Sequence, residues 1–280
     1  MIDSHCHLDC DAFDADRDAV LERARIAGVE AIVVPAVDER TWGPIVELSR
    51  RSGSPRCHAA LGIHPVALPS MDAAEDDEVL DRLAAALEVH SVVAVGECGL
   101  DATIDLTLAS MARQERVLQR QLLLAAERYL PVVLHARGSS AYERMLPMLL
   151  ALPPGWRGVI HSYSGGVDVL KRFLPLPVCF GFAGPATYAN ARKIRATVQG
   201  VPDDRLLAET DAPDQTPEPH RPGRSEPAYV ADVIRGLAAA RGVTEEEVRA
   251  LTSTNARRLF GLATQVDGKR SPPAEALTPR

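Results

Sequence analysis

Short apolar, β-branched runs alternate along this chain with longer stretches in which apolar residues recur at helical spacing. Eight such runs stand out, at residues 2–5, 31–36, 59–63, 92–97, 131–135, 158–161, 178–182 and 206–209. Short runs bounded by turn formers read as strands, and strands that alternate with helices build parallel sheets. Eight repeats of strand and helix predict a closed parallel barrel, the TIM (β/α)8 fold. The intervening stretches support it. Residues 108–129 carry Met111, Val117, Leu118, Leu122, Leu124 and Ala125 at helical spacing, and residues 140–150 and 188–198 read similarly. Thr244 followed by Glu247 has the pattern of a capping box opening a last helix toward Phe260. Residues 211–227 hold five prolines and predict an irregular loop after the eighth strand, at the end of a barrel where active sites lie. Residues 1–263 are expected to form one barrel domain and residues 264–280 a polar, proline-rich tail.

Composition narrows the class. With 46% hydrophobic and 25% charged residues the chain is ordinary for a globular domain. Its apolar runs fall far short of the roughly 18 to 20 residues that cross a bilayer, so no membrane partner is expected. The opening Met1-Ile2-Asp3-Ser4-His5 lacks the basic and apolar regions of a signal peptide, which predicts a cytoplasmic protein. Cys6, Cys10, Cys57, Cys98 and Cys179 form an odd set without a CxxC pair, so they read as buried thiols rather than a disulfide framework or zinc ribbon. A net charge of −7 argues against a long basic groove for nucleic acid, because that mode needs many Lys and Arg contacts to phosphates. It leaves room for a substrate held by metal ions. The oligomeric state is left open.

The chemistry lies where histidines and acids meet the strand ends. His5-Cys6-His7 closes the first run, Glu97 the fourth, His135 the fifth and His161 the sixth, and Asp211 follows the eighth. All strand C-termini of a parallel barrel meet on one face, so these side chains should converge. In a strand, residues i and i+2 share a face, which lets His5 and His7 chelate one ion. Four imidazoles and two carboxylates suit Mg²⁺, Mn²⁺, Zn²⁺ or a similar divalent ion. Two ions need more ligands than six single donors give, so one carboxylate should bridge. Glu97 is the candidate bridge, with Asp211, His5 and His7 on one ion and His135 and His161 on the other. Asp211 is also placed to take a proton from the attacking water.

Each residue has a plainer reading. A lone buried His is more often a packed core residue than a ligand, and His58 and His90 are read that way; His220, in the mouth loop, reads either way. Six candidate ligands closing five of eight strands are much harder to assign to packing. Arg137, two residues past His135, reads as a phosphate contact in preference to a surface charge, while Arg221 and Arg224 in the mouth loop are balanced between the two. Asp101 is either a helix-side cap or an acceptor that orients a ligand His.

These segments resemble the TatD-type metal-dependent deoxyribonucleases, within the wider amidohydrolase-like barrels. The likeness runs through DSHCHL at 3–8, GIHP at 62–65, GECGLD at 96–101, LPVVLHAR at 130–137, GVIHSYSG at 158–165, ETDAP at 209–213 and NARRLF at 255–260. It implies a TIM barrel, divalent metals and hydrolysis of phosphodiester bonds in DNA, with the 3′ to 5′ exonuclease action of relatives; with two ions as local positive charge, the expected partner is a short or terminal single strand of DNA. By position it implies His5, His7, Glu97, His135, His161 and Asp211 as metal ligands, with Asp211 and Glu97 in catalysis. His64 matches a substrate-contacting histidine, and Arg137 and Arg224 join it as substrate contacts. The chain departs from the pattern at Val66, where relatives commonly have a second His, and at Ala102, where they have an aromatic; the RNEP-like stretch is Arg224-Ser225-Glu226-Pro227. An amidohydrolase, or an enzyme hydrolysing the ester of an aminoacyl-tRNA, is the competing reading. Its lysine-bridged subtype is excluded, since none of Lys171, Lys193 and Lys269 ends a strand.

Overall fold

The computed structural model describes residues 1–263; the predicted tail, 264–280, lies outside them. Eight strands occur in chain order: β1 Ile2–Asp3, β2 Ala31–Pro35, β3 Arg56–Leu61, β4 Ala94–Asp101, β5 Val132–Arg137, β6 Gly158–Ile160, β7 Val178–Phe182 and β8 Leu206–Ala208. Every neighbouring pair from β1 to β8 is parallel. Across the remaining seam Ser4 N–H donates to Ala208 C=O at 3.2 Å and Asp211 N–H to His5 C=O at 2.9 Å, giving a nearly closed barrel. The helices follow in order: α1 Arg17–Ile26, α2 Glu39–Arg50, α3 Asp76–Val89, α4 Met111–Glu127, α5 Ser139–Leu150, α6 Gly166–Phe173, α7 Arg192–Gly200, α8 Val230–Arg241 and α9 Glu245–Phe260. The Thr244 and Glu247 capping box that opens α9 is formed. No helix of the described residues is long and apolar enough to cross a membrane.

Alternation along the strands separates two apolar layers. Outward residues such as Ile32, Val34, Leu61, Leu134 and Phe180 pack beneath the helices. Inward residues Ile2, Val33, Ala60, Ala94, Val133, Val159 and Leu207 fill the barrel, and Ala256, Leu259 and Phe260 of α9 join that inner cluster. The inner layer is small-chained, as a narrow interior requires. Two residues beyond Val133, Val159 and Leu207 the same inward direction delivers His135, His161 and Glu209.

Two strands outrun their predicted ends. β4 continues past Glu97 to Asp101 because Gly99, Leu100 and Asp101 pair with His135, Ala136 and Arg137 of a correspondingly longer β5. Glu97 therefore sits within a strand wall, beside a register shift between Val95 and Cys98. β1 is shorter than expected, yet the chain beyond it stays laddered, with Cys6 N–H on Val33 C=O and His7 N–H on Ala212 C=O. The predicted helix at 188–198 begins only at Arg192, since Gly184–Thr187 forms a 3-10 turn that Tyr188 terminates.

Helix α4 fixes the mouth in a way the apolar pattern did not reveal. Gln114 accepts from Asp101 N–H (2.8 Å) and donates to Asp101 C=O (3.0 Å). Two turns on, Gln121 does the same for Ile63, at 2.8 and 3.1 Å. Both amides are fully buried, so these bonds satisfy groups that would be costly left bare.

Candidate metal centre

Glu97 lies at the middle of a ring of imidazoles, and its two oxygens face different partners. Oε2 is 3.1 Å from His5 Nε2 and 3.4 Å from His7 Nε2. Oε1 is 2.7 Å from His161 Nε2, 3.0 Å from His135 Nδ1 and 3.1 Å from His64 Nε2. Asp211 Oδ1 joins the first side, 3.4 Å from His5 and 3.7 Å from His7. His5 and His161 stack between the two sides with ring centroids 3.9 Å apart. All six residues reached from the strand ends thus meet in one small volume.

The donor chemistry suits a divalent cation. Glu97 is buried and no donor is aligned on its Oε2, while His5 Nε2 and His7 Nε2 face each other at 3.2 Å. Nitrogen and carboxylate lone pairs directed into one space fit a cation better than they fit one another. Three sets bring donor atoms close enough to share an ion: His5, His7 and Glu97; His5, His161 and Asp211; His64, Glu97 and His135.

Tautomers refine the third set. His64 Nδ1 accepts from Val66 N–H at 2.9 Å, so its proton sits on Nε2 and that nitrogen is a donor, suited to an oxygen and not to an ion. His135 is the reverse. Its Nε2 lies 3.1 Å from Asp101 Oδ2, which takes the ring N–H and leaves the Nδ1 lone pair toward Glu97.

The carboxylates and imidazoles set one another's charge. Burial works against charge on Glu97, but His161, His64 and His5 hold it well below the carboxylate range. Burial, aided by His161, pushes His5 down to about 4. For His7 and His161 burial is outweighed by Glu97, with Asp211 adding to it, and they rise to about 9 and about 10.

Two buried acids beneath the ring escaped the sequence reading. Glu209 accepts from Ser162 N–H (2.5 Å) and Ser4 Oγ–H (3.1 Å), and burial pushes it up to about 7. Asp3 accepts from Thr210 N–H and its hydroxyl and from His5 N–H, and burial pushes it up to about 8. The inward period through Leu207 was the available signal for Glu209.

Other candidates lie elsewhere. Arg137 is exposed at the end of β5 and forms no ion pair among the described residues. Arg224 is taken up by Asp16, at 2.8 and 2.9 Å, with its guanidinium over Phe13, so it is not gathered at Glu97. His220 bonds Asp232 and stacks on Tyr229. Four of the five thiols are buried and all are free; Cys10 is partly exposed.

Fold and site together define a metal-dependent hydrolase built on a (β/α)8 barrel. The chain belongs to the TatD related DNase family, whose model matches residues 2–261. The metal-dependent hydrolase YabD of Bacillus subtilis (strain 168) is 36% identical over 263 residues, 93% of this chain and 98% of the relative. The 3'-5' ssDNA/RNA exonuclease TatD of Erwinia amylovora is 34% identical over 268 residues, 94% and 100% of the two chains. The crystal structure of YjjV, a TatD homologue from Escherichia coli K12, matches with a TM-score of 0.83 at 34% identity, covering 94% of this chain and 98% of that one.

Proposed function

We propose that this protein hydrolyses phosphodiester bonds of single-stranded DNA from a 3′ end, using two divalent ions (Mg²⁺, Mn²⁺ or Zn²⁺). The observation that carries the reading is Glu97, which turns one oxygen toward His5 and His7 and the other toward His135 and His161. A carboxylate so placed suits a bridge, with Asp211 completing the first side. The activity in the name of the Erwinia relative supports the choice of substrate.

Bound there, divalent ions would supply the charge that activates water and neutralises phosphoryl oxygens. The chain's own groups have distinct tasks. Asp211, partly exposed beside His5, accepts the proton of the attacking water. His64 presents its Nε2–H to a substrate oxygen, and Arg137 meets a phosphate at the rim.

The test is metal reconstitution followed by turnover of 3′- and 5′-labelled single strands, beside aminoacyl-tRNA and simple amides. Loss of the 3′ label first is the expected result; preferential cleavage of the tRNA ester or an amide would reject the reading. Arg137→Ala should raise KM about tenfold with little change in kcat, and lower the salt slope of binding by about one. Asp101→Asn should weaken metal binding roughly 10- to 100-fold, because an amide donating to His135 Nε2 moves the ring proton onto the ligand nitrogen. Isothermal titration with Mn²⁺ measures it, and unchanged affinity would remove His135 from the ligand set.

A further inference from the structure

Among the described residues four non-glycine residues have left-handed φ, and three of them sit together at the mouth: Ser162 (+43°), Asp211 (+53°) and Gln215 (+49°). Side chains rarely adopt this strained backbone, and such residues concentrate at functional sites. Here the three side chains are joined. The Gln215 amide N–H donates to Asp211 Oδ2, and the Ser162 hydroxyl meets both ends of that amide, 2.8 Å from Oε1, to which it donates, and 2.6 Å from Nε2, from which it accepts. The main chain is held as well. Asp214 N–H closes a turn on Asp211 C=O at 3.0 Å, and Gly184 lies so near Gln215 that a Cβ on it would fall 1.7 Å from the Gln215 carbonyl oxygen.

Nothing in the chemistry described so far uses Gln215. We propose that it is a positioning residue for Asp211, occupying Oδ2 so that Oδ1 alone faces His5 and His7. Asp211 then offers Oδ1 alone to an ion, in one rotamer, while Oδ2 is steadied by the amide and keeps its second lone pair for the proton of the attacking water. Ser162 steadies the amide beside Asp211, because its hydroxyl lies within hydrogen-bond reach of both Oε1 and Nε2 of Gln215. The bond also favours a fixed carboxylate over a swinging one, and fixing a ligand through its second contact is how outer partners tune metal sites. The inference rests on the proposal that Asp211 is an ion ligand, which is tested apart from it below.

The experiment uses the full chain loaded with Co²⁺, whose visible absorption reports coordination number. Gln215→Met keeps the length of the side chain and removes the amide. It should weaken Co²⁺ binding roughly 10- to 100-fold and lower the absorption intensity, as a released Asp211 supplies a second oxygen and the coordination number rises. Ser162→Ala, which leaves Gln215 in place, should shift both readouts in the same direction by less. Circular dichroism of the metal-free variants checks folding, and if Gln215→Met does not fold, the Ser162→Ala readouts decide. A folded Gln215→Met protein with wild-type affinity and spectrum overturns the inference, as does a silent Ser162→Ala when it alone is available. Wild-type affinity in Asp211→Ala overturns instead the ligand assignment beneath it, and the inference falls with it.

Discussion

Replacing Glu97 with glutamine is expected to cost about a thousandfold or more in kcat/KM and, on the two-ion proposal, to lower the bound metal, measured by elemental analysis, toward none. A neutral amide of the same shape cannot bridge two cations and cannot supply the charge that collects the imidazoles. Losing the contribution of a single ion to charge stabilisation removes several kcal/mol, and each ~1.4 kcal/mol is tenfold in rate. The metal-free variant gives a second readout. His7 and His161, raised to about 9 and about 10 chiefly by Glu97 acting against burial, should drop toward or below the ordinary histidine range, visible as ring shifts in an NMR titration. A glutamine variant that keeps both ions and wild-type turnover would sink the bridging assignment.

The second large effect is on stability. Gly99 has φ +157°, and a Cβ there would lie 2.0 Å from the carbonyl oxygen of His135, against the backbone of the adjoining strand. No side chain can move aside to relieve that contact. Gly99→Ala should push β4 off β5 at the level of His135 and cost more than about 4 kcal/mol, beyond the usual range of single substitutions. Urea unfolding measures the loss, and a midpoint shift worth under about 0.5 kcal/mol would show that the two strands are not so close. Metal binding should fall with stability, because the same wall carries Glu97 and His135.

The sequence makes the barrel legible because its signal is periodic. Val133 to His135 and Val159 to His161 are steps of two along strands whose inward face is otherwise small and apolar, so a polar residue there has to be doing chemistry or meeting a partner. What stays hidden depends on tertiary satisfaction of polar groups. Gln114 and Gln121 interrupt an apolar helical face and look like solvent-side residues until the backbone of Asp101 and Ile63 is placed against them. Glu209 and Asp3 fall inside predicted strands, but nothing local shows that the barrel closes over them. Arg224 reads as a free cation because nothing in its neighbourhood announces Asp16, some two hundred positions earlier. The apolar pattern ends β4 early for a related reason: pairing with β5, not local propensity, carries it on to Asp101.

The grip of α4 on main-chain amides and carbonyls has a consequence for how this catalyst can diversify. Because neither glutamine reads the identity of the residue it holds, the rim positions just beyond, Val66 and Ala102, can be rewritten without refitting the scaffold under them. Side-chain identity and framework integrity are thereby uncoupled at this edge, and new rim side chains can be sampled there while the floor that carries the histidines and Glu97 stays put.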